Sequence, residues 1–187
     1  LYYWTTTGGT GIMRWDFGNK MQTAAEKVVG TQYTNQCVGC HALSRAGKRM
    51  VLSAGGQNDG RLLLFGVPQK MPLQPFPLAQ KSQFESWNPD GTAFVGCFGD
   101  GKEKNLMLFD GVTGARTGTI DLGGLQGDHP DWSADGKRIV FTDVGEFNTD
   151  QRSYKGAIAV VEQMGAGWSA PKNVIPRAGG KNHYYPA

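Results

Sequence analysis

Apolar residues in this chain come in short runs: Met50-Val51-Leu52, Leu62-Leu63-Leu64-Phe65, Phe94-Val95, Leu106-Met107-Leu108-Phe109, Ile139-Val140-Phe141 and Ala157-Ile158-Ala159-Val160-Val161. Each is closed by glycine or by polar residues, the punctuation of β-strands and tight turns. The spacing of these runs carries more information than the runs themselves. Leu43 to Leu52, Trp87 to Gly96 and Trp132 to Phe141 align on a shared glycine at 47, 91 and 136, at intervals of 44 and 45 residues. In the first two copies a second apolar run starts 14 residues after that glycine, at Arg61 and at Asn105. The third copy delays it to Gly156, behind a longer polar loop from Gly145 to Tyr154.

A recurring unit of this length, with Asp-Gly turns between apolar runs, predicts four-stranded blades of a β-propeller. A two-sheet sandwich would not explain why the whole unit repeats. Residues 37–80, 81–125 and 126–175 are the expected blades. Residues 1–30 read as the end of an earlier blade and its connection, with strands at Leu1-Tyr2-Tyr3-Trp4 and from Gly11 to Gly18. Residues 176–187 read as the start of the next, because Asn182-His183-Tyr184-Tyr185-Pro186-Ala187 resembles the lead-in Gly127-Asp128-His129-Pro130-Asp131. The expectation is an all-β fold: a partial propeller with about three full blades and partial blades at both ends. A closed ring needs at least ~4 blades. Residues beyond both ends, or another chain, are therefore expected to complete it.

Composition agrees with this reading and removes some functions. The 28 glycines and 19% charged residues favour turn-rich β structure. A net charge of +3 and a pI near 8.8 are too mild to argue for nucleic acid. No stretch approaches the ~20 apolar residues of a membrane span. The first residues have neither the basic start nor the apolar run of a signal peptide.

Chemistry enters at Cys37-Val38-Gly39-Cys40-His41. Cys-x-x-Cys-His is the attachment sequence of c-type haem: two thiols form thioethers to the porphyrin, and the adjacent imidazole becomes the proximal iron ligand. A zinc site would want a second ligand pair, and the remaining cysteine is the isolated Cys97. A thioredoxin-like pair would open a helix in a βαβ context that the flanks lack; a simple disulfide stays open. The motif resembles that of c-type cytochromes, which implies one covalent haem c and no other metal, with Cys37, Cys40 and His41 as its attachment residues. Arg45, four residues beyond His41, is a candidate partner for a haem propionate.

The segment His129-Pro130-Asp131-Trp132-Ser133-Ala134-Asp135-Gly136 resembles the repeat of TolB-like β-propellers, and Trp87-Asn88-Pro89-Asp90-Gly91 follows the same pattern. In the first copy Leu43 replaces the Trp and Ala46 the Asp, so its turn is expected to be chemically weaker. The alignment places His41 in register with Glu85 and Pro130. The resemblance implies that this first strand lies beside the central channel, with the haem near its mouth, in a protein of the bacterial cell envelope, periplasmic or extracellular.

The sixth iron ligand decides between electron transfer and small-molecule chemistry. Met50 and Met107 read as core. His183, Met71 and His129 are the candidates: Met71 lies in a Pro-rich loop free to reach a cofactor, whereas both histidines belong to the repeat pattern. Cys97 reads as a buried structural thiol. No nucleophile elbow, zincin or phosphate-loop motif is present. The leading expectation is a monohaem c-type cytochrome on a propeller scaffold, passing single electrons to a redox partner. The alternatives are a haem enzyme with an open distal site, acting on peroxide or nitrogen compounds, and a structural or binding propeller module within a larger complex.

Overall fold

The computed structural model describes residues 1–56, 59–98, 103–149 and 152–187, with the side chains of 147–149 and 152 left aside. Apart from one 3-10 turn at Thr31–Tyr33, its regular structure is β. The first sheet has three antiparallel strands, β1 (Tyr2–Thr5), β2 (Gly11–Arg14) and β3 (Glu26–Gly30). The second is a four-stranded meander of β4 (Val38–Leu43), β5 (Arg49–Ala54), β6 (Arg61–Gly66) and β7 (Met71–Pro72). The third repeats that order with β8 (Phe84–Trp87), β9 (Ala93–Cys97), β10 (Leu106–Asp110) and β11 (Arg116–Ile120). In the fourth, β12 (Gly127–Trp132) pairs with β13 (Arg138–Asp143) and β13 with β16 (Ala157–Met164). Strand β16 then pairs with both β17 (Gly167–Trp168) and β18 (Lys172–Ile175). The insertion of the third repeat forms its own hairpin, β14 (Glu146–Thr149) with β15 (Arg152–Tyr154); residues 150 and 151 of the expected loop lie outside the described residues.

The apolar runs are continuous rather than alternating because each middle sheet is buried on both faces. On β5 and β6, Met50, Leu52, Leu63 and Phe65 pack toward Ile12 and Val29 of the first sheet. The intervening Val51, Leu62 and Leu64 pack toward Trp87, Phe94 and Phe109 of the third. A third cluster repeats the arrangement, joining Val95 and Leu106 to Trp132, Ile139 and Phe141. Period-two geometry thus sends alternate residues of one run into two different cores.

Neighbouring sheets are also tied by hydrogen bonds from repeat residues. The Trp87 Nε1 donates to the Ala42 carbonyl (3.0 Å) and the Arg49 guanidinium to the Gly91 carbonyl (3.0 Å). Between the third and fourth sheets, the Ser86 hydroxyl donates to Asp131 (2.7 Å) and accepts from the Trp132 amide (3.0 Å). These bonds fix how far the first strands can splay.

The turns follow the repeat. The Asp90 carboxylate accepts from the Thr92 amide (2.8 Å) and Asp135 from the Lys137 amide (3.0 Å). Ala46 offers nothing equivalent, but the Ser44 hydroxyl accepts from the Arg49 amide (3.0 Å), as Ser133 does from Arg138 (3.0 Å). Two features were not anticipated. Glu26–Gly30 adds a third strand to the N-terminal sheet, and Met71–Pro72, expected to be loop, pairs with Phe65 and Gly66 as an outer strand. Proline is tolerated there because an edge strand has an amide to spare.

Gly91 has a φ of +72°, and a Cβ placed on it would meet only the Ser44 Cβ at 3.6 Å, an ordinary contact. The cost of Gly91→Ala is therefore conformational, about 1–2 kcal/mol. Urea unfolding should show that loss, and a smaller one for Gly91→Asn, since Asn tolerates the left-handed region better. Equal losses for the two variants would contradict the explanation.

Candidate functional site

The first strand of each middle sheet lies at one edge, and β8 packs against both β4 and β12. Along these strands one repeat position is unusual. On the strands, Cys40, Phe84 and His129 immediately precede His41, Glu85 and Pro130; in the C-terminal segment, outside any strand, Tyr185 before Pro186 lines the same cavity, rather than the His183 that the repeat pattern matched to His129. Three of the four hold a left-handed backbone, with φ of 35° at Cys40, 44° at His129 and 54° at Tyr185. The β4–β5 ladder slips between Gly39 and His41, leaving Cys40 unpaired, and the β12–β13 ladder slips between Asp128 and Asp131. A bulge breaks alternation and re-aims side chains. Here adjacent residues reach the same space.

That space is a cavity of about 380 Å³. Its wall takes Cys40 and His41 from β4, Phe84 and Glu85 from β8, His129 to Asp131 from β12, and Tyr185 to Ala187 from the C-terminal segment, together with Trp4. The Trp4 indole lies over the cysteine motif and donates to the Val38 carbonyl (2.6 Å), and a Cβ at Gly39 would stand 3.5 Å from its nitrogen. The His129 ring packs against Phe84 and Tyr185, each with its centroid 3.7 Å away, at interplanar angles of 31° and 53°. Its Nδ1 lies 3.0 Å from Asp128 Oδ2, at an angle short of a formed hydrogen bond. Asp128 Oδ1 accepts from the His129 amide (3.0 Å) and from the Cys97 thiol (3.2 Å).

Burial sets the electrostatics. It pushes the Cys40 thiol up to about 11, with the neighbouring Glu85 charge adding to the shift and Ser53 opposing it. It pushes Glu85 up to about 8; Ser82, whose hydroxyl donates to the Cys97 carbonyl (3.0 Å), opposes this. It lowers His41, favouring the neutral imidazole, the form that binds a metal. Cys97 is buried and its thiol is raised well above the usual range by burial and then by Asp128.

The residues expected from the sequence separate clearly. Cys40, His41 and His129 share the cavity wall. Cys37 is exposed just before β4, with its carbonyl held by the Gly55 amide (2.9 Å) and its Sγ beside Gly56. Arg45 faces a smaller cavity of about 210 Å³ and donates to the Trp132 carbonyl (3.2 Å). His183 lines a different cavity with Ile158 and Ile175, and its amide donates to the Gly156 carbonyl (3.3 Å). Met71 is exposed on β7, the strand of its sheet farthest from β4. Trp4, Phe84, Glu85, Asp128 and Tyr185 were not foreseen as site residues. The repeat alignment pointed to Glu85, but no sequence signal announces a left-handed Cys, His or Tyr.

The Cys40 thiol, the His41 imidazole and aromatic rings share one wall, and Cys37, the second thiol that a covalently attached haem would use, lies outside that wall just before β4. His129 Nε2 is buried without a hydrogen-bond partner among the described residues, and a polar or metal-bearing occupant would satisfy it; the Glu85 carboxyl is buried with Ser82 as its near polar neighbour. The residues fit that group. Among the described residues no cluster of three His, Cys, Asp or Glu side chains is placed to hold a bare metal ion.

Sheets of this form, joined edge to edge by their first strands, define the chain as part of a β-propeller whose sheets do not close into a ring. Solved structures agree. The chain is similar to TolB from Acinetobacter baumannii, with a TM-score of 0.63 and 16% identity over 94% of this chain and 40% of that one. It is similar to a putative TolB from Agrobacterium tumefaciens, with a TM-score of 0.62 and 21% identity over 85% of this chain and 53% of that one. A chain of a nidogen/laminin complex gives a TM-score of 0.59 at 11% identity, over 94% of this chain and 62% of that one. The chain therefore spans about half the length of such propellers, and the likeness shows the fold. No family model and no curated protein matches the sequence. Among the described residues no helix is long and apolar enough to cross a membrane.

Because the folded pKa of Glu85 stands near 8 rather than its ordinary 4.5, the folded protein keeps a proton that the unfolded chain has released. The associated stability is complete below 4.5 and is lost as pH rises through 8. Thermal unfolding of the haem-free protein should therefore show Glu85→Gln more stable than wild type at pH 9, by roughly 1–5 kcal/mol, with the difference vanishing near pH 4. Parallel pH profiles would contradict a buried, proton-bearing Glu85.

Proposed function

We propose that this chain is the binding part of a larger propeller assembly and that the group held in its channel cavity is one haem c. The observation that supports this reading is the convergence of Cys40, His41 and His129, from two different sheets, on one aromatic-lined cavity. Thioethers at Cys37 and Cys40 would anchor the macrocycle, and His41 would ligate the iron. When bound, such a group supplies single-electron chemistry or, with an open distal position, small-molecule activation.

The protein's own contribution is positional. The β4 bulge sets Cys40 and His41 on one wall, Trp4 lies over the motif, and Phe84 and Tyr185 pack against His129. A redox partner or further propeller chains would meet this edge. A nidogen/laminin complex contains a chain of similar fold, which supports a role in assembly. Covalent haem attachment implies an extracytoplasmic location in a bacterial envelope.

Electron transfer is favoured over catalysis because a second imidazole, His129, stands on the same cavity wall. Expression in a host with c-type maturation should give one haem that stays with the protein through denaturation, read as a pyridine haemochrome. Cys37→Ala combined with Cys40→Ala should abolish it, and His41→Ala should leave a disturbed spectrum. A wild-type protein that emerges haem-free with both thiols open to alkylation would overturn the proposal.

A further inference from the structure

We infer that His129 is the second axial ligand of this haem, oriented by Asp128; the inference rests on the haem reading above. Of the three candidates taken from the sequence, His183, Met71 and His129, His129 alone lines the cavity that holds His41. His183 faces the neighbouring cavity and Met71 is exposed on the outer strand β7. His129 is 5% exposed and Asp128 is 1% exposed. Yet His129 Nε2 meets no hydrogen-bond partner among the described residues, a costly arrangement for a buried imidazole.

The surroundings explain what such an imidazole is for. Asp128 Oδ2 lies 3.0 Å from Nδ1 and, once the angle closes, fixes the proton on that nitrogen, leaving Nε2 as the donor atom. Metal-binding histidines are commonly oriented by a carboxylate on the far ring nitrogen in this way. Asp128 is itself held by the His129 amide and the Cys97 thiol. Phe84 and Tyr185 pack against the ring, each with its centroid 3.7 Å away and tilted by 31° and 53°, which restricts its rotamers before any ligation. The same repeat position carries Cys40 on β4. One backbone device, the left-handed bulge, thus supplies an anchoring thiol in one blade and an axial imidazole in another.

The test is electron paramagnetic resonance and visible spectroscopy of the haem-loaded ferric protein. Wild type should be low-spin and six-coordinate. His129→Ala should become high-spin and bind cyanide at least tenfold faster, and added imidazole should restore the low-spin signal, separating ligand loss from misfolding. His129→Met should remain six-coordinate, His183→Ala and Met71→Ala should leave the spectrum unchanged, and Asp128→Asn should stay low-spin with a raised reduction potential. A low-spin His129→Ala protein, or a wild type carrying covalent haem that is high-spin, would overturn this inference while leaving haem attachment intact. Absence of covalent haem in the haemochrome assay would instead remove both readings.

Discussion

The side-by-side packing of the first strands β4, β8 and β12 is the constraint on which the rest of the structure depends. A single meander buries nothing alone; Val51 and Leu64 need Trp87 and Phe94 of the next sheet, just as Val95 needs Ile139. Side-chain hydrogen bonds from Trp87, Arg49 and Ser86 then lock one sheet to its neighbour at a fixed distance. Once that spacing is set, the inner edge has little freedom, and whatever stands at the bulge position must face the shared space.

The cavity's chemistry follows from that placement. Its wall is apolar enough to raise the Cys40 thiol and the Glu85 carboxyl and to keep His41 neutral. These groups carry an energetic cost that a structural core would avoid by using Val or Leu. Their concentration at the junction of consecutive repeats sets the cavity apart from the cores between sheets, whose clusters are apolar. The propeller is a scaffold for many functions, so function is decided by the residues of the site and not by the fold.

Much of the fold was legible because it repeats. The glycines at 47, 91 and 136, with φ of 68°, 72° and 74°, sit where the aligned turns placed them. Met50, Met107 and Cys97 are buried as their strand positions implied. What escaped was local and unrepeated: β3 contains the polar pair Glu26-Lys27, and Met71–Pro72 hides a two-residue strand behind prolines. At the site, cysteine spacing carried the haem expectation, but three distal candidates looked alike in sequence. Only the bulges of β4 and β12, invisible to a propensity argument, separate His129 from His183 and Met71. The contribution of Trp4 and Tyr185 to the cavity wall was likewise hidden, because residues distant in sequence meet there only after the sheets pack.

The most direct measurement of the central claim is an iron anomalous-difference map from crystals of protein matured with haem. One iron peak within the cavity, in bonding range of both His41 and His129 and next to Cys40, is the expected result. An iron peak outside this cavity, or a cavity closed by Tyr185 against Phe84 with both cysteine thiols free, would contradict the account.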